Sequence, residues 1–195
     1  MRQAGGPRLH SVPRLIHLNG PPGIGKSTLA RHYVDDHVGV LNLDIDQLRG
    51  LIGGWRDRFA ETGEIVRPMA LSMAGTHLRS GRDIIMPQFL GRLSEIERFA
   101  TVAYDNGAEF CEIVLMDTKE RSVERFARRG EDDDPWHRLV KEIVDREGGP
   151  SRLAAMYDQL ADVLSLRPAA IVVTSVAGEV EQTYEALVAV LGSKP

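Results

Sequence analysis

The run Asn19-Gly20-Pro21-Pro22-Gly23-Ile24-Gly25-Lys26-Ser27-Thr28 completes the pattern GxxxxGK[ST], with glycines, one lysine and a hydroxyl at fixed spacing. Each residue type answers a need of polyphosphate chemistry. Glycine reaches backbone dihedrals that let successive N–H groups turn inward around phosphate oxygens. A helix that starts near Lys26 aims its positive end at the same anion. Lys26 then reaches the β- and γ-phosphates, and the Ser27 hydroxyl is the expected magnesium ligand. Gly20, Pro21, Pro22, Gly23, Ile24, Gly25, Lys26, Ser27 and Thr28 are therefore read together as a site for ATP and Mg2+. A short apolar run precedes the motif and an amphipathic run follows it, the strand and helix that the motif requires.

Further along, Asp44 and Asp46 invite a catalytic reading. If Val38 to Asp44 is a strand that continues a little, period-two geometry puts Asn42, Asp44 and Asp46 on one side. Ligands of open parallel sheets bind beyond the carboxyl ends of the strands, so both carboxylates would face the γ-phosphate. One is suited to accept the proton of an attacking hydroxyl, the other to hold a magnesium-bound water. The plainer alternative is that they cap a helix beginning near Gln47. Gln88 and Arg92, after the third strand, are candidates for orienting a substrate, although a turn amide and a helix-start arginine explain them almost as well. Arg125 and Arg129 lie one helical turn apart and are expected to converge on a transferred phosphoryl group. Against that stands a solvated basic helix in which Glu124 pairs with Arg128.

Other chemistry-bearing residues read as structural. The histidines have no metal-ligand spacing, and His137 reads as packing. Cys111, the single cysteine, sits in a strand-like run as a small core filler and excludes an internal disulfide, which fits a reducing cytoplasm. Glu131-Asp132-Asp133-Asp134-Pro135 reads as acidic residues at the positive end of a Pro-started helix rather than a metal site. Met69 and Met73 read as a core stripe, and Trp55 and Phe59 as packing rather than stacking on a ring.

These residues need elements to position them. Short apolar runs alternate with longer amphipathic ones, the pattern of βα units around a parallel sheet. Candidate strands are Leu15–Leu18, Val38–Leu43, Asp83–Met86, Glu109–Met116 and Ala169–Thr174. Candidate helices are Lys26–Asp36, Met69–Ser80, Leu93–Asp105 and Arg121–Arg129, three segments near 120–129, 136–146 and 151–166, and Glu179–Leu191. The expectation is one α/β domain over 14–195, three-layered, with a helical lid at about 118–150 and a loose tail over 1–13. At 195 residues the chain suits one core. Its 43% apolar and 27% charged residues describe a folded body, and no apolar run is long enough to span a bilayer. A net charge of −4 offers no broad attraction to nucleic acid or anionic membrane, so a small substrate is favoured.

Here the resemblance to known families becomes specific. Asp46-Gln47-Leu48-Arg49 looks like the Asp-x-x-Arg element that follows strand two in P-loop kinases such as zeta toxins and the kinase domain of polynucleotide kinase. Chloramphenicol phosphotransferase also has an aspartate at the end of this strand. The resemblance implies Asp46 as general base and Arg49 as a residue that contacts substrate phosphate or positions the loop. The run from Asp83 to Arg92 is similar to the tunicamycin-resistance ATP-binding protein, and it lacks the magnesium-associated acid many P-loop proteins carry there, which shifts that role to Asp44 or Asp46. Similarity to the nucleoside-monophosphate-kinase group implies the P-loop NTPase fold with strand order 2-3-1-4-5 and a lid bearing Arg125 and Arg129. The implied activity is transfer of the γ-phosphoryl of ATP to a hydroxyl of a small molecule, antibiotics among the candidate acceptors. A slow ATPase or a nucleotide-dependent sequestration protein is the alternative, and nothing in the residues reveals an oligomeric state.

Overall fold

The computed structural model describes residues 12–128 and 135–192. Continuous apolar runs such as Leu15-Ile16 and Ile84-Ile85-Met86 are fully buried, as strands covered on both faces must be. Five strands, β1 (Arg14–Asn19), β2 (Leu41–Asn42), β3 (Ile84–Met86), β4 (Glu109–Met116) and β5 (Ile171–Thr174), pair in parallel in the order β2-β3-β1-β4-β5. This is the order that the resemblance implied. The helices are α1 (Lys26–Asp36), α2 (Ile45–Arg49), α3 (Phe59–Arg79), α4 (Leu93–Asp105), α5 (Lys119–Ala127), α6 (Pro135–Arg146), α7 (Gly149–Ser165) and α8 (Val180–Gly192).

Alternation along the strands divides the core in two. Ile16, Leu18 and Ile85 face α1 and α8, packing on Leu29, Ala30, Tyr33 and Leu187. Leu15, Ile84 and Met86 face the opposite way, against Val66, Ala70 and Ala74 of α3 and Ile96 and Phe99 of α4. The helix after β1 therefore covers one face and the helix after β3 the other. Adjacent strands whose connections leave to opposite faces open a crevice at their carboxyl ends. Here that crevice lies between β1 and β3.

Three expectations are corrected. The second strand is Leu41–Asn42 rather than Val38–Leu43, because Val38 is exposed and Gly39 turns at φ +89°. Helix α3 starts at Phe59, ten residues ahead of Met69, and carries Pro68 within it. Its buried side is Thr62, Val66, Ala70, Ala74 and Leu78, mostly small residues four apart, so the bulky Met69 and Met73 are turned outward and do not form a core stripe. Cys111 is buried in the core, as expected. Among the described residues no helix is long and apolar enough to cross a membrane. Arg129 and the acidic run Glu131–Asp134 lie outside the described residues.

Candidate active site

Between β1 and α1 the chain makes a tight loop that only glycine permits at three points, with φ +146° at Gly20, +81° at Gly23 and +105° at Gly25. Two of these glycines also admit a close neighbour. A Cβ on Gly20 would stand 2.6 Å from the Leu115 carbonyl oxygen, and one on Gly23 3.2 Å from Cα of Phe126. The loop is therefore wedged against β4 and α5. The Lys26 ammonium donates to the carbonyls of Gly20 (2.8 Å) and Pro21 (2.9 Å), so its charge lies over the loop. Helix α1 begins at Lys26, with its first N–H groups and the positive end of its dipole at the same place.

Ser27 Oγ donates to Asp44 Oδ2 at 3.1 Å. The other oxygen, Oδ1, accepts from the N–H groups of Asp46 (3.1 Å) and Gln47 (3.4 Å), so Asp44 is the N-cap of α2. Capping of α2 and contact with the phosphate-loop serine are thus done by one carboxylate. Burial raises its pKa, the Asp46 charge adds to the rise, and the bonds from Ser27 and the backbone oppose it. The period-two expectation for Asp46 fails, because the strand ends at Asn42 and Asp46 belongs to α2. Helical geometry nevertheless keeps Asp46 at the cleft and places it 3.5 Å from Arg49 Nη1.

Arg49 is buried, with its guanidinium 3.6 Å from the centre of the Phe59 ring. A Cβ on Gly63 would come within 3.1 Å of Arg49 Nη2, so glycine inside α3 makes room for the plate. Nε and Nη1 of Arg49 are buried without a hydrogen-bond partner. Arg92 is exposed and donates to Glu95 at 2.8 Å, while Arg67 reaches the same carboxylate at 3.3 Å. The Gln88 Oε1 atom is buried without a partner.

Arg125 has a different setting from the one expected. It donates to the carbonyls of Ser175 (2.8 Å) and Ile24 (3.0 Å) and stands 3.8 Å from Asp117, so it braces the back of the loop. Ser175 Oγ donates to the same Ile24 carbonyl at 3.0 Å. Sequence reasoning missed Ser175, whose one signal is its place at the end of the last strand. It also passed over Asn19 and His17, both completely buried.

Beside the loop lies a cleft of about 760 Å3, within the range of small-molecule sites. Lys26, Ser27, Thr28, Asp44, Asp46, Arg49, Gln88, Arg92 and Arg125 border it, and so do Phe59, Phe89 and His137, together with Val140 and Val144 of α6. A hydroxyl and one carboxylate are hard oxygen donors, a set that suits Mg2+, which keeps several waters and shares substrate phosphates. Among the described residues no group of three or more His, Cys, Asp or Glu could cage a metal by itself.

Comparison with solved structures agrees with this fold. A gluconokinase from Sinorhizobium meliloti superposes with a TM-score of 0.63 at 17% identity, covering 94% of each chain. The tunicamycin resistance protein of Deinococcus radiodurans gives 0.56 at 20% identity, covering 93% of this chain and 97% of that one. A chain of the Pnkp1/Rnl/Hen1 RNA repair complex gives 0.60 at 19% identity, covering 84% of this chain and 49% of that one. No curated protein matches the sequence. At these identities the likeness is one of fold, the P-loop fold with its parallel sheet in the order β2-β3-β1-β4-β5. The sequence matches the AAA domain family over residues 15–147, more than half of its length, and the chain belongs to that family.

Proposed function

We propose that this protein transfers the γ-phosphoryl group of ATP to a hydroxyl of a small molecule. The observation that carries the reading is a phosphate loop whose Ser27 is bonded to Asp44, with a second carboxylate, Asp46, on the same cleft. N–H groups at the start of α1 and the Lys26 ammonium hold the triphosphate and spread its charge. Ser27 and Asp44 are the residues that would hold Mg2+, which supplies charge neutralisation at the β- and γ-oxygens when bound.

The acceptor hydroxyl approaches the γ-phosphorus from the Asp46 side. Its O–H proton passes to the Asp46 carboxylate as the new P–O bond forms, and the bond to the β-phosphate oxygen breaks to leave ADP. Arg49, seated on the Phe59 ring and beside Gly63 of α3, keeps Asp46 aimed. Burial of its Nε and Nη1 supports that positioning role over direct substrate contact. Arg125 keeps the loop in shape from behind. The cleft continues past the phosphate loop to Phe59, Phe89 and α6, which leaves room for an acceptor and favours transfer over mere hydrolysis or sequestration.

Mass spectrometry of small hydroxyl compounds incubated with the protein, ATP and Mg2+ tests the proposal. A mass gain of one phosphoryl group on an acceptor is the expected result. Free phosphate alone would make the protein a hydrolase, and neither product a binder.

A further inference from the structure

Main-chain pairing between β1 and β3 stops at His17↔Met86. Beyond that point β3 has ended while β1 runs on to Asn19 against β4, and β1 and β3 share no further main-chain register. Two side chains of β1 continue the connection. His17 Nε2 lies 3.0 Å from the Gln88 carbonyl oxygen. Asn19 Nδ2 donates to the Leu90 carbonyl at 3.0 Å, and Asn19 Oδ1 accepts from the Leu90 N–H at 3.1 Å and from the Gly20 N–H at 2.9 Å. His17 and Asn19 are two apart on the same side of the strand, and each reaches a residue 71 positions on.

Asn19 thus holds, in one fully buried amide, the first N–H of the phosphate loop and both polar groups of Leu90. Leu90 itself faces the core, but Pro87, Gln88, Phe89, Gly91 and Arg92 around it border the cleft. The segment is packed tightly on its other side too, since a Cβ on Gly91 would stand 2.8 Å from the Gln159 side chain of α7. A fully buried amide can exchange these bonds only by leaving its partners unpaired. The two lips of the crevice therefore move together or not at all.

We propose that Asn19 is a positioning residue that couples the nucleotide loop to the 87–92 wall of the cleft, so that nucleotide gripped at Gly20–Thr28 orders the surface that receives the acceptor. This rests on the nucleotide-binding part of the reading above, and His17 is the second rung of the same link.

Amide hydrogen exchange at 87–92, with and without saturating ATP and Mg2+, tests it alongside calorimetric ATP binding. In the native protein nucleotide should slow exchange there about tenfold or more. Asn19→Leu, which keeps the branching and removes the polar atoms, should still bind ATP and lose the slowing at 87–92 while retaining it at 20–28. Asn19→Asp keeps the accepting oxygen and loses the donor to Leu90, so it should retain part of the slowing; it carries the test if the leucine variant does not fold. A merely structural asparagine predicts faster exchange everywhere with the nucleotide effect unchanged, and that result overturns the proposal. So does a native protein that binds ATP and shows no slowing at 87–92. A native protein that binds no ATP overturns the proposed function and this coupling with it.

Discussion

At the scale of residues, Asp46 carries the proposed chemistry. Asp46→Asn preserves shape and removes the proton acceptor, so transfer should fall by about 10²- to 10⁴-fold, the usual contribution of a general base, with ATP affinity nearly unchanged. Parallel acceptor-phosphorylation and calorimetric titrations check both halves, and native-like turnover would dismiss Asp46. Gly20 makes a sharper structural prediction. Its φ of +146° and the 2.6 Å approach to a backbone oxygen leave no room for Gly20→Ala, which should cost about 2 kcal/mol or more in urea unfolding and most of the ATP affinity.

His17 gives the molecule a pH dependence. Burial pushes its imidazole down to about 4 from an ordinary 6.5, with the Gln88 bond opposing and the charge of Lys26 assisting. Above the unfolded value both states are neutral and His17 contributes no slope. As pH falls from about 6.5 towards about 4 only the unfolded chain takes up the proton, so stability drops, by about 3 kcal/mol in all. Asp44, raised by burial, acts in the opposite sense, so the informative comparison is with His17→Asn. That variant should lose less stability between pH 7 and pH 5 than the native protein in denaturant titrations. The phosphate loop was legible in the sequence because its demands are local. Asn19 and Ser175 were not, because their partners lie 71 and 151 residues away and no short-range pattern records them.

At the scale of elements, α2 shows why the second strand was misread. Asp44 fits both an extended run and a helix cap, and the cap prevails because its carboxylate satisfies two otherwise orphaned N–H groups at once. Asp44→Ala should therefore cost about 1 kcal/mol from the lost cap and should also weaken the Mg2+ dependence of ATP binding. Asp44→Asn, an equally good cap, should spare stability and still lose the Mg2+ dependence. Unfolding curves together with ATP titrations at several Mg2+ concentrations separate the two effects, and undiminished Mg2+ dependence in both variants would remove Asp44 from the metal site. Helix α3 was misplaced for a related reason. Its buried stripe is mostly threonine, glycine, valine and alanine, closed by Leu78, and the methionines that drew attention face solvent.

At the scale of the whole molecule, the alternation of apolar and amphipathic runs led to the layered sheet, and the resemblance supplied the strand order. The wall of the cleft beyond the phosphate loop stayed illegible because it draws on α2, α3, the loop after β3, α4, α6 and α7, pieces that only the fold brings together. What depends least on the acceptor is the grip on the triphosphate. Calorimetry of the native protein and of Lys26→Ala, titrated with ATP in the presence of Mg2+, tests it most directly. Saturable heat from the native protein, and an affinity lower by about a hundredfold or more in Lys26→Ala, is the predicted outcome for a charge-assisted contact worth about 3 kcal/mol. No heat from the native protein, or equal affinity in both, would contradict the account.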